Sequence, residues 1–405
     1  MLRALSIAAL ATTALAHGES KNLWQEKYSA SSQDLSFSGI VTFAHLPHQR
    51  CLDLEGSQGS GDIIVLGMPF DTAVSYRNGA RFGPNAIRQG SRRHAKNRAY
   101  SIPWNFNPLL SGPAFIDCGD VPISPYDNDL ALAQIETAYT TLLNRPVTTT
   151  WTEENGGMKA LSLSSQEIPK IISLGGDHTI VLPILRSLHK VYGPISVIHF
   201  DAHLDTWVGT GYNGAKTPQS QITHGTFFWK AFHEGLIAKG SSVHAGIRTR
   251  LSEFEDLTND VEVGFMPLTT DDIEEMGTAG IIKAIKERVG NTPTYLSLDI
   301  DVIDPSMAPA TGTPESGGWS SREVKAILRG LSGLNLVGFD IVEVSPAYDT
   351  NAELTGMLAA DIVQEYFALA TKGKTNGGKA WMPAAKGGKL YDERESEKES
   401  KHDEL

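Results

Sequence analysis

The sequence predicts an α/β chain built on a parallel sheet with helices on both faces, and two patterns carry that reading. Apolar runs of strand length recur: "DIIVLGMPF", "AFIDCGDV", "KIISLGG", "ISVIHF", "SVHAGI", "EVGFM", "TYLSLDI" and "LVGFDIVEV". They are nearly continuous in hydrophobicity instead of alternating, as strands covered on both faces require. Helical patterns separate many of them, and strand–helix alternation implies parallel strands joined by right-handed crossovers. The 405 residues, 40% of them hydrophobic, suffice for one large domain or two ordinary ones.

The ends of the chain carry addresses. Residues 1–16 have a basic residue, Arg3, then an apolar run from Ala4 that closes on the small-residue pattern Ala14-x-Ala16. That run is short for a bilayer span and fits a secretory signal peptide. The chain ends in "HDEL", which matches a retention signal of the endoplasmic reticulum. Lumenal residence is the expectation, with secretion as the alternative. Residues 17–60 are polar and aperiodic and form an expected N-terminal extension; 61–372 form the expected main folded domain. Residues 373–405 turn to Gly, Lys and Glu, a flexible charged tail.

Between these limits the helices show themselves by period and by their ends. "DLALAQIETAYTTLLN" puts Leu130, Ala133, Ile135, Ala138 and Leu142 roughly along one face. "DDIEEMGTAGIIKAIKERV" opens with acids and closes with bases, which suits the helix dipole. "SSREVKAILRGL" begins with Ser320 and Glu323, a capping-box pattern. Residues 144–167 break the rhythm with Thr, Ser and Gly and read as a surface insertion. Cys51 and Cys118 are the only cysteines; one disulfide or two buried thiols both fit. The net charge of −12 argues against general affinity for nucleic acid or anionic lipid.

Three runs end in chemistry. In "VIHFDAHLDTW" Asp201, His203 and Asp205 are spaced two apart, so in an extended segment they point the same way. "TYLSLDIDVIDP" repeats the grammar with Asp299 and Asp301, and "IISLGGDHT" delivers His178 after a glycine turn. Groups that follow parallel strands gather beyond their carboxyl ends. A solvated loop with unrelated acids would explain one such cluster, but three in the same place point to a cation site. The set His178, Asp201, His203, Asp205, Asp299 and Asp301 exceeds what one ion needs, and bridging carboxylates would hold two ions about 3.5–4 Å apart. With oxygen donors dominant and no cysteine, Mn²⁺ suits it better than Zn²⁺.

Across residues 62–365, "GARFGPNAIR", "DCGDV", "LGGDHT", "FDAHLD", "THGTFF", "SLDIDVIDPSMAPATGTPESGG" and "FDIVEVSP" stand in the order of the ureohydrolase family of arginases and agmatinases. The sequence resembles the agmatinases more. The resemblance implies a three-layer α/β/α fold around an eight-stranded parallel sheet, two Mn²⁺ ions and a trimer or hexamer. It implies that His178 and Asp205 bind one ion, His203 and Asp301 the other, and that Asp201 and Asp299 bridge them. His224 matches a proton shuttle, and Glu343 a carboxylate that pairs with a guanidinium; His224, Glu343 and Asp205 are the candidate catalytic residues. The implied reaction cleaves a linear guanidino compound to urea and an amine, agmatine first and a guanidino acid such as 4-guanidinobutyrate second.

Some residues depart from that pattern or are weighed less. The stretch from Thr206 to Thr223 is long for an agmatinase and contains Lys216, which either faces the substrate tail and favours an acid or points to solvent. Ala310 and Trp319 replace residues usual in agmatinases and are expected at the pocket floor. Asp177 and Asp304 read as turn-forming carboxylates, Asp340 as a buried partner, and Arg81, Arg88, Arg92 and Arg93 as a solvated or salt-bridged face. His189, His233 and His244 have no clustered partner in the sequence. Metallophosphoesterases share Asp-x-His, but theirs comes first in the chain, whereas here "GGDH" precedes "DAHLD". A non-catalytic metal-binding relative is the other rival.

Overall fold

A β-strand sends successive side chains to opposite faces, so a run that is apolar throughout must be covered twice. A computed structural model describes residues 35–53, 60–148, 162–164 and 166–371. The strands are β1 (Ile63–Met68), β2 (Phe115–Asp120), β3 (Lys170–Gly175), β4 (Ser196–Phe200), β5 (Val243–Ile247), β6 (Pro267–Thr269), β7 (Thr294–Leu298) and β8 (Leu336–Ile341). They form one eight-stranded sheet in the order β2-β1-β3-β8-β7-β4-β5-β6, with every neighbouring pair parallel.

The helices are α1 (Gly83–Gly90), α2 (Asn128–Leu143), α3 (Val181–Tyr192), α4 (Phe227–His233), α5 (Glu255–Val263), α6 (Asp272–Val289), α7 (Ser321–Gly330) and α8 (Leu354–Thr371). Strand β1 shows how the layers arise. Ile63 and Val65 face one way, into a core shared with Ile281 and Ile285 of α6, Ile327 of α7 and Phe367 of α8. Ile64 and Leu66 face the other way, against Leu132 and Ile135 of α2, Leu185 of α3 and Phe227 of α4. The three-layer α/β/α architecture expected from the sequence is the one observed.

Local signals act as read in several places. Ser320 accepts from the Glu323 backbone N–H while the Glu323 side chain accepts from Ser320, so the capping box at α7 is complete. Asp272, Glu274 and Glu275 lie in the first turn of α6 and Lys286 and Arg288 in its last. Two expectations need correction. "EVGFM" is not a strand: Glu262 and Val263 end α5, Gly264 caps it at φ 111°, and β6 begins only at Pro267. The buried face of α2 is also shifted. Leu130 and Ala133 are exposed, while Ala131, Ile135, Ala138, Tyr139 and Leu142 are buried. Their i, i+4, i+7 spacing is the truer helical stripe.

Cys51 and Cys118 form a disulfide, their Cα atoms 5.3 Å apart. It ties the segment before β1 to β2, where Gln49 N–H donates to the Asp117 carbonyl and Asp117 N–H to that of Pro47. Arg88, expected on a solvated or salt-bridged face, is salt-bridged, by Asp117 at 2.9 Å and Asp120 at 2.6 Å, and is buried where a surface position was expected. Trp319 sits in the core near Phe200 and donates its indole N–H to the Thr270 carbonyl. Ala310 is buried, and its N–H donates to the Thr355 hydroxyl. The expected signal peptide and charged tail lie outside the described residues, as does most of the 144–167 insertion.

Candidate active site

Strands β3, β8, β7 and β4 are consecutive neighbours in the sheet, and each delivers a polar group just past its carboxyl end. After β3, Gly175 and Gly176 turn the chain and Asp177 caps a short 3-10 turn from His178 to Ile180, accepting from Thr179 N–H. Only glycine fits at 176, because a Cβ would stand 1.8 Å from the Phe70 carbonyl oxygen. After β4 come Asp201, His203 and Asp205; after β7, Asp299 and Asp301; after β8, Glu343. Asp205 and Glu343 both hold left-handed backbone, at φ 55° and 60°. Such conformations in non-glycine residues collect where function over-determines the backbone.

The six sequence-picked ligand residues converge. His178 Nδ1 lies 3.1 Å from Asp201, 3.2 Å from Asp205 and 3.4 Å from Asp299. His203 Nδ1 lies 3.2 Å from Asp201 and 3.0 Å from Asp301. Two sets of donor atoms, His178, His199, Asp201 and Asp205 in one and Asp201, His203 and Asp301 in the other, each fall within 4.8 Å of one another. Asp201 belongs to both.

Burial makes this crowding costly. Burial and then the Asp301 and Asp201 charges push the Asp299 carboxyl well above its ordinary range. Burial and Asp201 raise Asp205 to about 6, and the same two causes raise Asp301. Burial opposes ionisation of Asp201 too, but His199 and the other imidazoles around it hold that carboxyl well below its ordinary range. His178 Nδ1 and Asp201 Oδ2 are buried without a hydrogen bond despite their closeness. Mutually repelling carboxylates and orphaned donor atoms are what divalent cations relieve, and the donor set of imidazole nitrogen and carboxylate oxygen fits such ions.

The surroundings aim these groups. His178 Nε2 contacts the Ser297 hydroxyl at 2.7 Å, and Ser297 donates to Asp340 at 3.0 Å, so the expected buried partner of the cluster is Asp340. Asp177 and Asp304 take backbone N–H groups, Ala73 and Thr179 for the first, Ser306, Gly317 and Gly318 for the second, as turn-forming carboxylates do. Glu343 Oε1 accepts from His178 N–H at 2.8 Å and contacts His224 Nδ1 at 3.1 Å. Its Oε2 is buried without a hydrogen bond, on the side where Gly312 carries no side chain. His224 Nε2 meets Ser75 through both backbone N–H and hydroxyl. Burial works against charge on His224, but Glu343 outweighs it and pushes the imidazole up to about 9.

His199 escaped the sequence reading. Its signal was present: a histidine inside "VIHF", two positions before Asp201 and hence on the same face of the strand. His244, to which the sequence assigned nothing, contacts His199 and Asp260. Lys216 is solvent-exposed.

The match with known proteins agrees with this geometry. The model of the Arginase family matches residues 61–368. A Schizosaccharomyces pombe protein named "Putative agmatinase 1" is 50% identical over 339 residues, covering 84% of this chain and 84% of that protein. The protein named agmatinase in Neisseria meningitidis serogroup C is 39% identical over 313 residues, 77% of this chain and 88% of its own. The solved structure of proclavaminate amidino hydrolase from Streptomyces clavuligerus aligns with a TM-score of 0.70 at 32% identity, covering 84% of this chain and all of that one. The chain belongs to the arginase family. Within it, the chain is a ureohydrolase of the agmatinase kind, an amidinohydrolase with its metal-binding residues in place.

Proposed function

We propose that the protein hydrolyses agmatine to putrescine and urea with two Mn²⁺ ions. His178 and Asp205 would hold one ion, His203 and Asp301 the other, with Asp201 and Asp299 shared. Such a pair supplies hydroxide near neutral pH by lowering the pKa of water. The single observation that carries the reading is the half-satisfied carboxylate of Glu343: Oε1 is pinned by His178 and His224, while buried Oε2 has no hydrogen-bond partner among the described residues. A guanidinium offers planar N–H donors to complete it, and the charge-assisted contact orients its carbon.

His224 does the proton work. Charging it means protonating Nε2, which accepts from Ser75 N–H in the neutral ring; with a pKa near 9 the ring favours the charged form at neutral pH and can donate. The guanidino carbon gains oxygen from water, its bond to the alkyl nitrogen breaks, and that nitrogen leaves as an amine after taking a proton through His224. Lys216 is solvent-exposed, which weakens the case for an acidic tail and supports placing agmatine ahead of guanidino acids. The disulfide and the two terminal signals support residence in the oxidising lumen of the endoplasmic reticulum. Urea release from agmatine, 4-guanidinobutyrate and arginine by Mn²⁺-loaded protein tests the reading. Agmatine should turn over fastest; absence of urea from every compound would overturn it.

A further inference from the structure

Strands β4 and β5 are paired so that His199 stands directly beside His244. Side chains at paired positions of parallel neighbours share a face, so the register alone places two imidazoles together. They meet Nδ1 to Nδ1 at 2.7 Å. The far nitrogen of His199, Nε2, lies 2.9 Å from Asp201, and that of His244 lies 2.8 Å from Asp260 of α5. Asp201, His199, His244 and Asp260 are all fully buried. A buried line of four titratable groups thus runs from the carboxylate shared by both donor sets to a helix outside the site.

We infer that His244 and Asp260 are positioning residues that act through His199 to fix the Asp201 carboxylate. The inference rests on the metal centre proposed above. His244 Nε2 meets Asp260 and its Nδ1 meets that of His199, which fixes the direction of both rings. His199 Nε2 then faces Asp201 Oδ2 at 2.9 Å, close but without a hydrogen bond. His244 cannot swing away, because it stacks on Phe265 with centroids 4.0 Å apart and planes 7° apart. The line then returns to its origin. Asp260 also accepts from the Thr206 hydroxyl at 2.7 Å, and Thr206 follows Asp205. Asn259 donates to the Thr206 carbonyl at 2.5 Å. Helix α5 therefore holds the exit of β4 at two points, one on each side of His203.

A purely structural role is the competing account, since apolar residues could fill the same space. What separates them is the metal. Partners that orient a ligand change metal affinity by roughly 10- to 100-fold when removed, without touching the ion. The experiment is equilibrium dialysis of Mn²⁺ against metal-free full-length protein, for wild type, His244→Gln, Asp260→Asn and Thr206→Val, with the metal-free melting temperature of each and the Mn²⁺ resonance spectrum of the loaded forms. The expected result is a tenfold or greater loss of affinity in His244→Gln and Asp260→Asn, a smaller one in Thr206→Val, and an altered spectrum in the loaded forms. Should a replacement at 244 or 260 fail to fold, Thr206→Val carries the test alone, because it leaves both rings packed. Unchanged affinity in the folded variants overturns the inference, as does a loss that merely follows the fall in metal-free melting temperature. If wild type takes up no metal, the proposed function fails instead, and the two failures are told apart by that first sample.

Discussion

Glu343 sits at φ 60° with its N–H donated to the Gly176 carbonyl, and one carboxylate oxygen serves both His178 and His224. Replacing it with Gln keeps the shape and removes the charge. Glu343→Gln should lower kcat/KM for agmatine by roughly 10- to 100-fold, the worth of one charge-assisted hydrogen bond, as steady-state urea release would show. The pH profile carries a second signature. The folded His224 pKa, near 9, exceeds the ordinary imidazole value, so any stability from its charge is fully present below the ordinary value. It is lost as pH rises through 9, and proton donation goes with it. The alkaline limb of kcat should fall near pH 9, and in Glu343→Gln it should move to lower pH; an unmoved limb would remove His224 from the proton path. At this scale the sequence was legible where residues repeat a spacing, as at Asp201, His203 and Asp205. It was illegible where partners come from different strands, because nothing near His244 or Asp260 in the chain announces that β4 and β5 align them.

Elements were legible to the extent that their signals are local. The capping box of α7 and the charged ends of α6 lie within single turns, and both are present. The helix–strand swap at "EVGFM" is a local signal misweighed: Gly264 stops a helix as readily as it interrupts a strand. At Arg88 the salt bridge was among the readings the sequence allowed, but the residue's burial was hidden because its partners are distant in the chain. Its fork reaches Asp117 on β2, and Asp117 also accepts from Phe43 N–H, so one carboxylate joins α1, β2 and the N-terminal segment. Removing Asp117 leaves the buried Arg88 charge with only half-exposed Asp120 as an ionic partner. Asp117→Ala should therefore cost about 3–5 kcal/mol, measured by urea unfolding. A loss within 1 kcal/mol, about that of an exposed pair, would show that the clamp is not tight.

For the whole molecule, strand order decides what the site can be. Because β3, β8, β7 and β4 are adjacent, groups from distant parts of the sequence arrive within a few ångströms, and the cost of bringing buried carboxylates together falls on the fold. The metal should return that cost. Protein stripped with a chelator should melt at lower temperature than protein in Mn²⁺, by the equivalent of about 2.7 kcal/mol for each site held at a hundredfold its Kd. Calorimetry with and without the ion reads this directly, and equal melting would contradict a metal centre at the sheet's crest.

A parallel sheet has two open flanks, and β2 forms one of them. There the Pro47–Cys51 stretch lies alongside like a ninth ribbon, and the bond from Cys51 to Cys118 rivets it down. Bare flanks invite another molecule to zip on. Reductant should thus peel this guard before it harms catalysis, and gentle warming of a Cys51→Ser, Cys118→Ser double variant should raise turbidity sooner than in wild type while urea output from the soluble fraction persists. Clear solutions on both sides would mean that the ribbon clings unaided.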